Sequence, residues 1–277
     1  MKKPSLAPSK QRGLSIVELL VATVIGLLLM TGVLQVFFAS KQTYSSNEAA
    51  SRLQENGRFA LEFIAQNVRM AGYLEAANFK KSPPMAIAGS NCGISGMCST
   101  QGTGSGSDTL SVGLQPRLMD GVRRDCRGNP LTGANANTET ILNHFEVITP
   151  AADPAKPNEI PTGSLTCKSW NLSQSAWVNN ATALALVEGI DALQVQYGIG
   201  TGTTEDGVRQ YVSADRVTNW NNVVAVRVAV LANSVTPTSP RTPVRPYILL
   251  DAAPFIPRDD GRARQVFTTT INLRNTN

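Results

Sequence analysis

The chain has 277 residues, 42% apolar and 16% charged, with a mean hydropathy of −0.09. That mixture excludes a polytopic membrane protein and a wholly disordered chain, and a single histidine, His144, excludes a multi-histidine metal centre. The net charge of +5 and pI near 9.2 would fit a nucleic-acid binder, but Lys2, Lys3, Lys10 and Arg12 supply +4 and leave +1 for everything else, so no nucleic-acid partner is expected.

Those four cations precede Gly13. From Leu19 to Ser40 there is no charge for 22 residues. As a helix this run is roughly 33 Å long, enough to cross a hydrocarbon core of about 30 Å. A cleaved secretory signal has a shorter apolar stretch, about 7–15 residues. The cations before the run and the sparse charge after it (Lys41, then Glu48) favour a cytoplasmic N-terminus and an exported remainder. The span reads as a single-pass anchor in the cytoplasmic membrane. Glu18 is the anomaly: an acid costs about 2.5–3.5 kcal/mol at the centre of a membrane helix, less near its end, and asks for a partner.

The string from Arg12 to Leu20 (RGLSIVELL) resembles the prepilin-type signal of type IV pilins and type II secretion pseudopilins. The resemblance implies cleavage by prepilin peptidase on the cytoplasmic side, after Gly13, and N-methylation of the new first residue, Leu14. Leu14 departs from the phenylalanine usual there, and Glu18 falls on the family's glutamate, fifth after the cut. Cleavage would create an ammonium at Leu14. In low dielectric an ion pair costs far less than an uncompensated ion, so a neighbouring subunit's amine docked on Glu18 would set the axial register of stacked helices.

Beyond Lys41 the sequence turns polar but keeps helical spacing. Ala49, Leu53, Ala60, Ile64, Val68 and Ala71 form a stripe widened by Leu61, and no proline occurs between Pro8 and Pro83; this stripe reads as core. Gly72 is the expected C-terminal stop, so one helix from about Ser15 to about Ala71 is predicted, roughly 85 Å long. Gly26 and Gly32 permit close helix approach, but they are six apart, so no dimer motif is assigned. The segments SKQTY (40–44), SRLQENGRFAL (51–61) and NVRMAGY (67–73), with the late blocks LVEGIDALQVQYG (186–198) and RQVFTTTINLRN (264–275), are similar to PilW minor pilins.

In the remainder, Leu110, Val112 and Leu114 alternate, as do Val224, Val226, Val228 and Val230, and Phe267, Thr269, Ile271 and Leu273; Ile141–Ile148 and Leu193–Ile199 are further strand candidates. Loops hold Gly, Ser and Pro clusters at 102–107, 150–161 and 234–246. Without βαβ alternation, an antiparallel sheet packed on the helix is expected, an α+β fold that agrees with the pilin-like architecture the resemblance implies. Cys92, Cys98, Cys126 and Cys167 lie in the exported part, where an even count favours two disulfides with three possible pairings. The expected pairing closes a local loop with Cys92–Cys98 and ties distant loops with Cys126–Cys167. A zinc site is the alternative, but the spacing matches no common finger.

The loop from Thr201 to Gly207 holds two acids, fewer than calcium prefers, and is expected to be a plain turn. His144 reads as a strand residue, and no nucleophile elbow, P-loop or His-Glu-x-x-His motif is present, so neither enzyme activity nor a cofactor is expected. The expected organisation is a leader at 1–13, a membrane and filament stem at 14–40, a periplasmic continuation of the helix at 41–75 and a β-rich head at 76–277. The resemblance implies a minor pilin that primes type IV pilus assembly with other minor pilins, the major pilin and a tip adhesin, supporting twitching motility and adhesion. A J-type pseudopilin of a type II secretion system, or an exported binding module or hydrolase on a plain signal anchor, are the alternatives.

Overall fold

The computed structural model describes residues 13, 15–75, 85–132, 138–155, 160–178, 182–200, 207–238 and 240–275. Helix α1 spans Ile16–Arg69. The strands are β1 (Leu110–Leu114), β2 (Leu118–Met119), β3 (Val122–Arg123), β4 (Ile141–Ile148), β5 (Ser164–Asn171), β6 (Ala176–Trp177), β7 (Leu184–Glu188), β8 (Ile190–Ile199), β9 (Gln210–Val212), β10 (Val223–Asn233) and β11 (Arg264–Asn272). The chain divides into two compact units, Met1–Asn47 and Glu48–Asn277.

In the first unit every described residue as far as Tyr44 is exposed. The threonines that interrupt the apolar run do not leave loose hydroxyls. Thr23 donates to the Leu20 carbonyl at 2.8 Å, Thr31 to Leu27 at 2.8 Å and Thr43 to Ala39 at 2.9 Å. This back-bonding lets a hydroxyl sit in an apolar surround without an unmet donor.

In the second unit, α1 buries Ala49, Leu53, Gly57, Ala60, Ile64, Ala65 and Val68, close to the expected stripe. Of these, Leu53, Ala60, Ile64, Ala65 and Val68 share one core with Leu110, Phe145, Val226, Val228 and Ile271 from the sheets. One sheet has the order β1-β4-β5-β6 with β7 also on β5, a second the order β11-β10-β8-β9, and β2 pairs with β3. Every pairing among the described strands is antiparallel. The fold is α+β, a long N-terminal helix with antiparallel sheets packed on its second part.

Two glycines are fixed by geometry. Gly72 ends the helical turn with φ +72° and donates to the Gly113 carbonyl at 2.9 Å, where a side chain would strain the left-handed backbone. Gly57 was absent from the expected stripe, yet a Cβ there would lie 2.3 Å from the Phe267 ring. Overpacking of this kind costs about 1–3 kcal/mol, more than the roughly 1 kcal/mol that alanine gains over glycine in a helix. Gly57→Ala is therefore expected to lower the urea midpoint of the full chain, and an unchanged or raised midpoint would show that Phe267 can swing aside.

The strand expected over 224–230 is β10, and it is buried along nearly all of its length. The segment after it folds back: Ser234 donates to the Ala263 carbonyl at 3.0 Å, Tyr247 bridges Phe255, and Tyr247 and Leu249 pack on Ala229 and Leu231. That second apolar layer covers the face of β10 that holds Ala229 and Leu231.

Candidate functional site

The candidate site from the sequence is the N-terminal end of α1. Gly13 is exposed, and a Cβ built on it meets nothing within 4 Å. Among the described residues, packing therefore places no demand for glycine there. Leu14 lies outside the described residues. Helix α1 opens at Ile16, with the Leu19 N–H donating to the Ser15 carbonyl at 3.1 Å. Glu18 falls in the first turn, where a negative charge is favoured by the helix dipole. Among the described residues it has no ion-pair partner. Behind it comes the uncharged exposed run, with Leu28 69% and Leu29 68% accessible. Helix α1 is long and apolar enough to cross a membrane, and the same surface is equally fit to be covered by neighbouring helices. Gly26 and Gly32 likewise face open space.

In the head, Cys92 is bonded to Cys98 and Cys126 to Cys167, with Cα separations of 5.5 and 6.4 Å. Among the described residues no three His, Cys, Asp or Glu side chains gather as metal ligands. Of the Thr201–Gly207 loop only Gly207 lies within the described residues.

His144 sits in β4, opposite Ser111 of β1 and Lys168 of β5. Its Nδ1 is 2.7 Å from the Ser111 hydroxyl and its Nε2 3.9 Å from Glu146, which pairs with Lys168 at 2.9 Å. The Ser-His-Glu order invites a catalytic reading, but Ser111 has no accessible surface and His144 only 3%. No exposed nucleophile is presented, and the row of contacts ties three strands together. His144 and then Lys168 hold the Glu146 carboxyl down to about 2, against the opposing effect of burial. A carboxyl with a depressed folded value stabilises above its ordinary 4.5 and loses that contribution as pH falls toward about 2. The stability difference between wild type and Glu146→Gln is expected to shrink over that acid window and to be constant near neutrality. Urea midpoints across the window measure it; a pH-independent difference would remove the Glu146 charge from the account.

Sequence reasoning missed two further polar devices. Asp108 accepts from the Gly102 N–H at 2.7 Å and the Val195 N–H at 2.8 Å, pinning the 102–107 loop to β8. Burial raises its carboxyl to about 6, although both amide bonds oppose the rise. Arg264 lies between Asp191, 2.6 Å from its Nε, and Asp260, 2.5 Å from its Nη2. The one signal in the sequence is an arginine a few residues before the last predicted strand and just after the acidic pair at 259–260.

An N-terminal helix that is apolar in its first half and packs its later turns on antiparallel sheets, with an acid in its first turn that has no ion-pair partner among the described residues, is the arrangement to be compared with known proteins. Residues 152–275 match the family model for type IV pilus-assembly protein W, and residues 8–34 match that for the prokaryotic N-terminal methylation motif. The chain is thus similar to the PilW family over residues 152–275 and to proteins bearing the N-terminal methylation motif over residues 8–34. It is also similar in structure to a type IV-like pilin from Thermus thermophilus, with 13% identity and a TM-score of 0.43 over 82% of this chain and 99% of that one. No curated protein sequence matches it.

Proposed function

We propose that the chain is a minor pilin, inserted in the cytoplasmic membrane with its head in the periplasm. Prepilin peptidase trims it after Gly13 and methylates Leu14. It then joins other minor pilins in a complex that primes pilus assembly and stays at the tip. On this reading residues 1–13 are the leader, 14–40 the membrane and filament stem, 41–75 the continuation of the helix and 76–277 the head. Its work is packing: the stem supplies a shared apolar surface, Glu18 the register, and the head the contacts with partner subunits. The observation that carries the reading is Glu18, which among the described residues has no ion-pair partner in the first turn of an apolar helix, just after a Gly13 whose Cβ position meets no described atom within 4 Å.

Two measurements test it. Mass spectrometry of the protein from cells with active peptidase should find Leu14 as the first residue, carrying one methyl group. Gly13→Ala should instead retain the leader. A native N-terminus with the basic leader attached would overturn the reading in favour of a plain signal anchor. Glu18→Ala should insert normally but co-assemble about tenfold less, because the partner amine is left buried without a counter-charge. Co-assembly at the wild-type level would remove Glu18 from the mechanism.

A further inference from the structure

The sheet β11-β10-β8-β9 ends on two very different edges. At one, β9 is three residues long, Gln210–Val212, too short to template another chain. At the other, β11 runs nine residues, Arg264–Asn272, in unbroken register with β10. Exposed edges are ordinarily protected by lysine, proline, a bulge or a covering segment. Strand β11 (RQVFTTTIN) holds no lysine or proline, its pairing shows no register shift, and among the described strands it pairs only with β10.

Hydrogen-bond parity identifies the free groups. Leu273 donates to the Val224 carbonyl at 2.9 Å, and Ser234 to the Ala263 carbonyl at 3.0 Å. Odd-numbered residues of β11 therefore bond to β10, and the amides and carbonyls of Val266, Thr268, Thr270 and Asn272 point outward. Beside this edge runs a groove of about 480 Å³ between β11 and α1, lined by Arg58, Leu61, Glu62, Ala65, Phe267 and Thr269 among others. An edge strand with a helix flanking it suits an added strand: main-chain bonds supply affinity, and alternate side chains enter the groove.

The groove also carries a charge preference. Arg69 is engaged by Glu62 at 3.5 Å. Arg58 lies over the Phe59 ring, 5.8 Å from its centroid, and among the described residues no carboxylate is within ion-pair reach of it. The surplus at this rim is one positive charge. We propose that β11 is a docking edge for an extended, acidic segment of a partner polypeptide, added as a further strand with a carboxylate side chain meeting Arg58. The inference stands on the edge and the groove and is independent of the pilus role.

The probe is a synthetic peptide as long as β11, alternating threonine and valine with one central glutamate, and its lysine counterpart. Each is titrated onto the full-length protein in detergent micelles, with residue-resolved amide hydrogen exchange as the readout. The glutamate peptide should protect the Thr268 and Thr270 amides saturably below about 1 mM and bind better than the lysine peptide. Thr268→Pro removes an outward donor without touching the β10 ladder and should weaken binding about tenfold, while the Phe267 and Thr269 amides stay protected as proof of folding. Arg58→Glu should reverse the preference between the two peptides. The proposal fails if the wild type shows no saturable protection at about 1 mM, or if Thr268→Pro binds as well as wild type. It fails equally if the edge amides become protected with rising protein concentration alone, because a second copy would then be the occupant.

Discussion

Replacing Arg264 by alanine is expected to destabilise the head by about 3–5 kcal/mol, the usual cost of stranding a buried carboxylate. The guanidinium, only 6% accessible, reaches Asp191 through Nε at 2.6 Å and both oxygens of Asp260, at 2.7 and 2.5 Å. Asp191 also accepts from Asn233 at 2.7 Å, and Asp260 from the Arg262 N–H at 3.0 Å. The cluster fastens three strand ends, in β8, β10 and β11, at the point where the chain returns from its long excursion over β10. Burial by itself would raise Asp260, but the hydrogen bonds from Arg264 and the Arg262 N–H, with the charges of both arginines, outweigh it and hold the carboxyl below its ordinary 3.8. The contribution is therefore present above that value and fades as pH falls through the lowered one. Arg264→Lys should recover only part of the loss, since an ammonium cannot serve a bidentate partner and a second carboxylate together. Denaturant midpoints at neutral pH decide it. A variant within a few tenths of wild type would mean the cluster only breaks even against its desolvation.

The parts of the molecule that were legible in the sequence are those governed by one-dimensional periodicity. Helix α1 follows from spacing, the absence of proline over a long stretch and a glycine stop, and its observed end at Arg69 lies two residues before the expected one. The strands β1, β4, β8, β10 and β11 were each marked by apolar alternation or β-branched content. Strand β5, Ser164–Asn171, was not. It carries Cys167, Lys168 and Ser169 in a sequence that reads as polar loop, and it is a strand because β4 and β7 both pair with it and its alternate residues enter the core. Gly57 was illegible for a related reason. A glycine in a helix looks like a defect until the Phe267 ring is known to occupy the space of its missing Cβ. The candidate site divides the same way. Gly13, Glu18 and the uncharged run are local in sequence, whereas the clusters around Arg264, Asp108 and His144 join residues far apart in the chain, which no motif reports.

Disulfide removal should separate those two kinds of constraint. Cys126–Cys167 spans a sequence separation of 41, and closing a loop of that length restricts the unfolded chain by about 4 kcal/mol; Cys92–Cys98 spans only 6 and is worth about 2 kcal/mol on the same reckoning. The longer bridge also joins the turn around Cys126 to the middle of β5. Cys167 is fully buried in the core, while the turn holding Cys126 is organised locally by Asp125, which accepts from the Arg127 N–H at 2.9 Å and the Asn129 N–H at 2.8 Å. Arg127 reaches outward to the Val178 carbonyl at 2.8 Å. Reduction of a Cys92→Ser/Cys98→Ser variant should therefore cost about twice what reduction costs a Cys126→Ala/Cys167→Ala variant, as read from denaturant midpoints with and without reductant. The wild type should lose close to the sum, because the loops 92–98 and 126–167 do not overlap. Equal losses would place the effect of the bridges in the folded state, and the turn around Asp125 would then be held by its hydrogen bonds whether or not the sulfurs are joined.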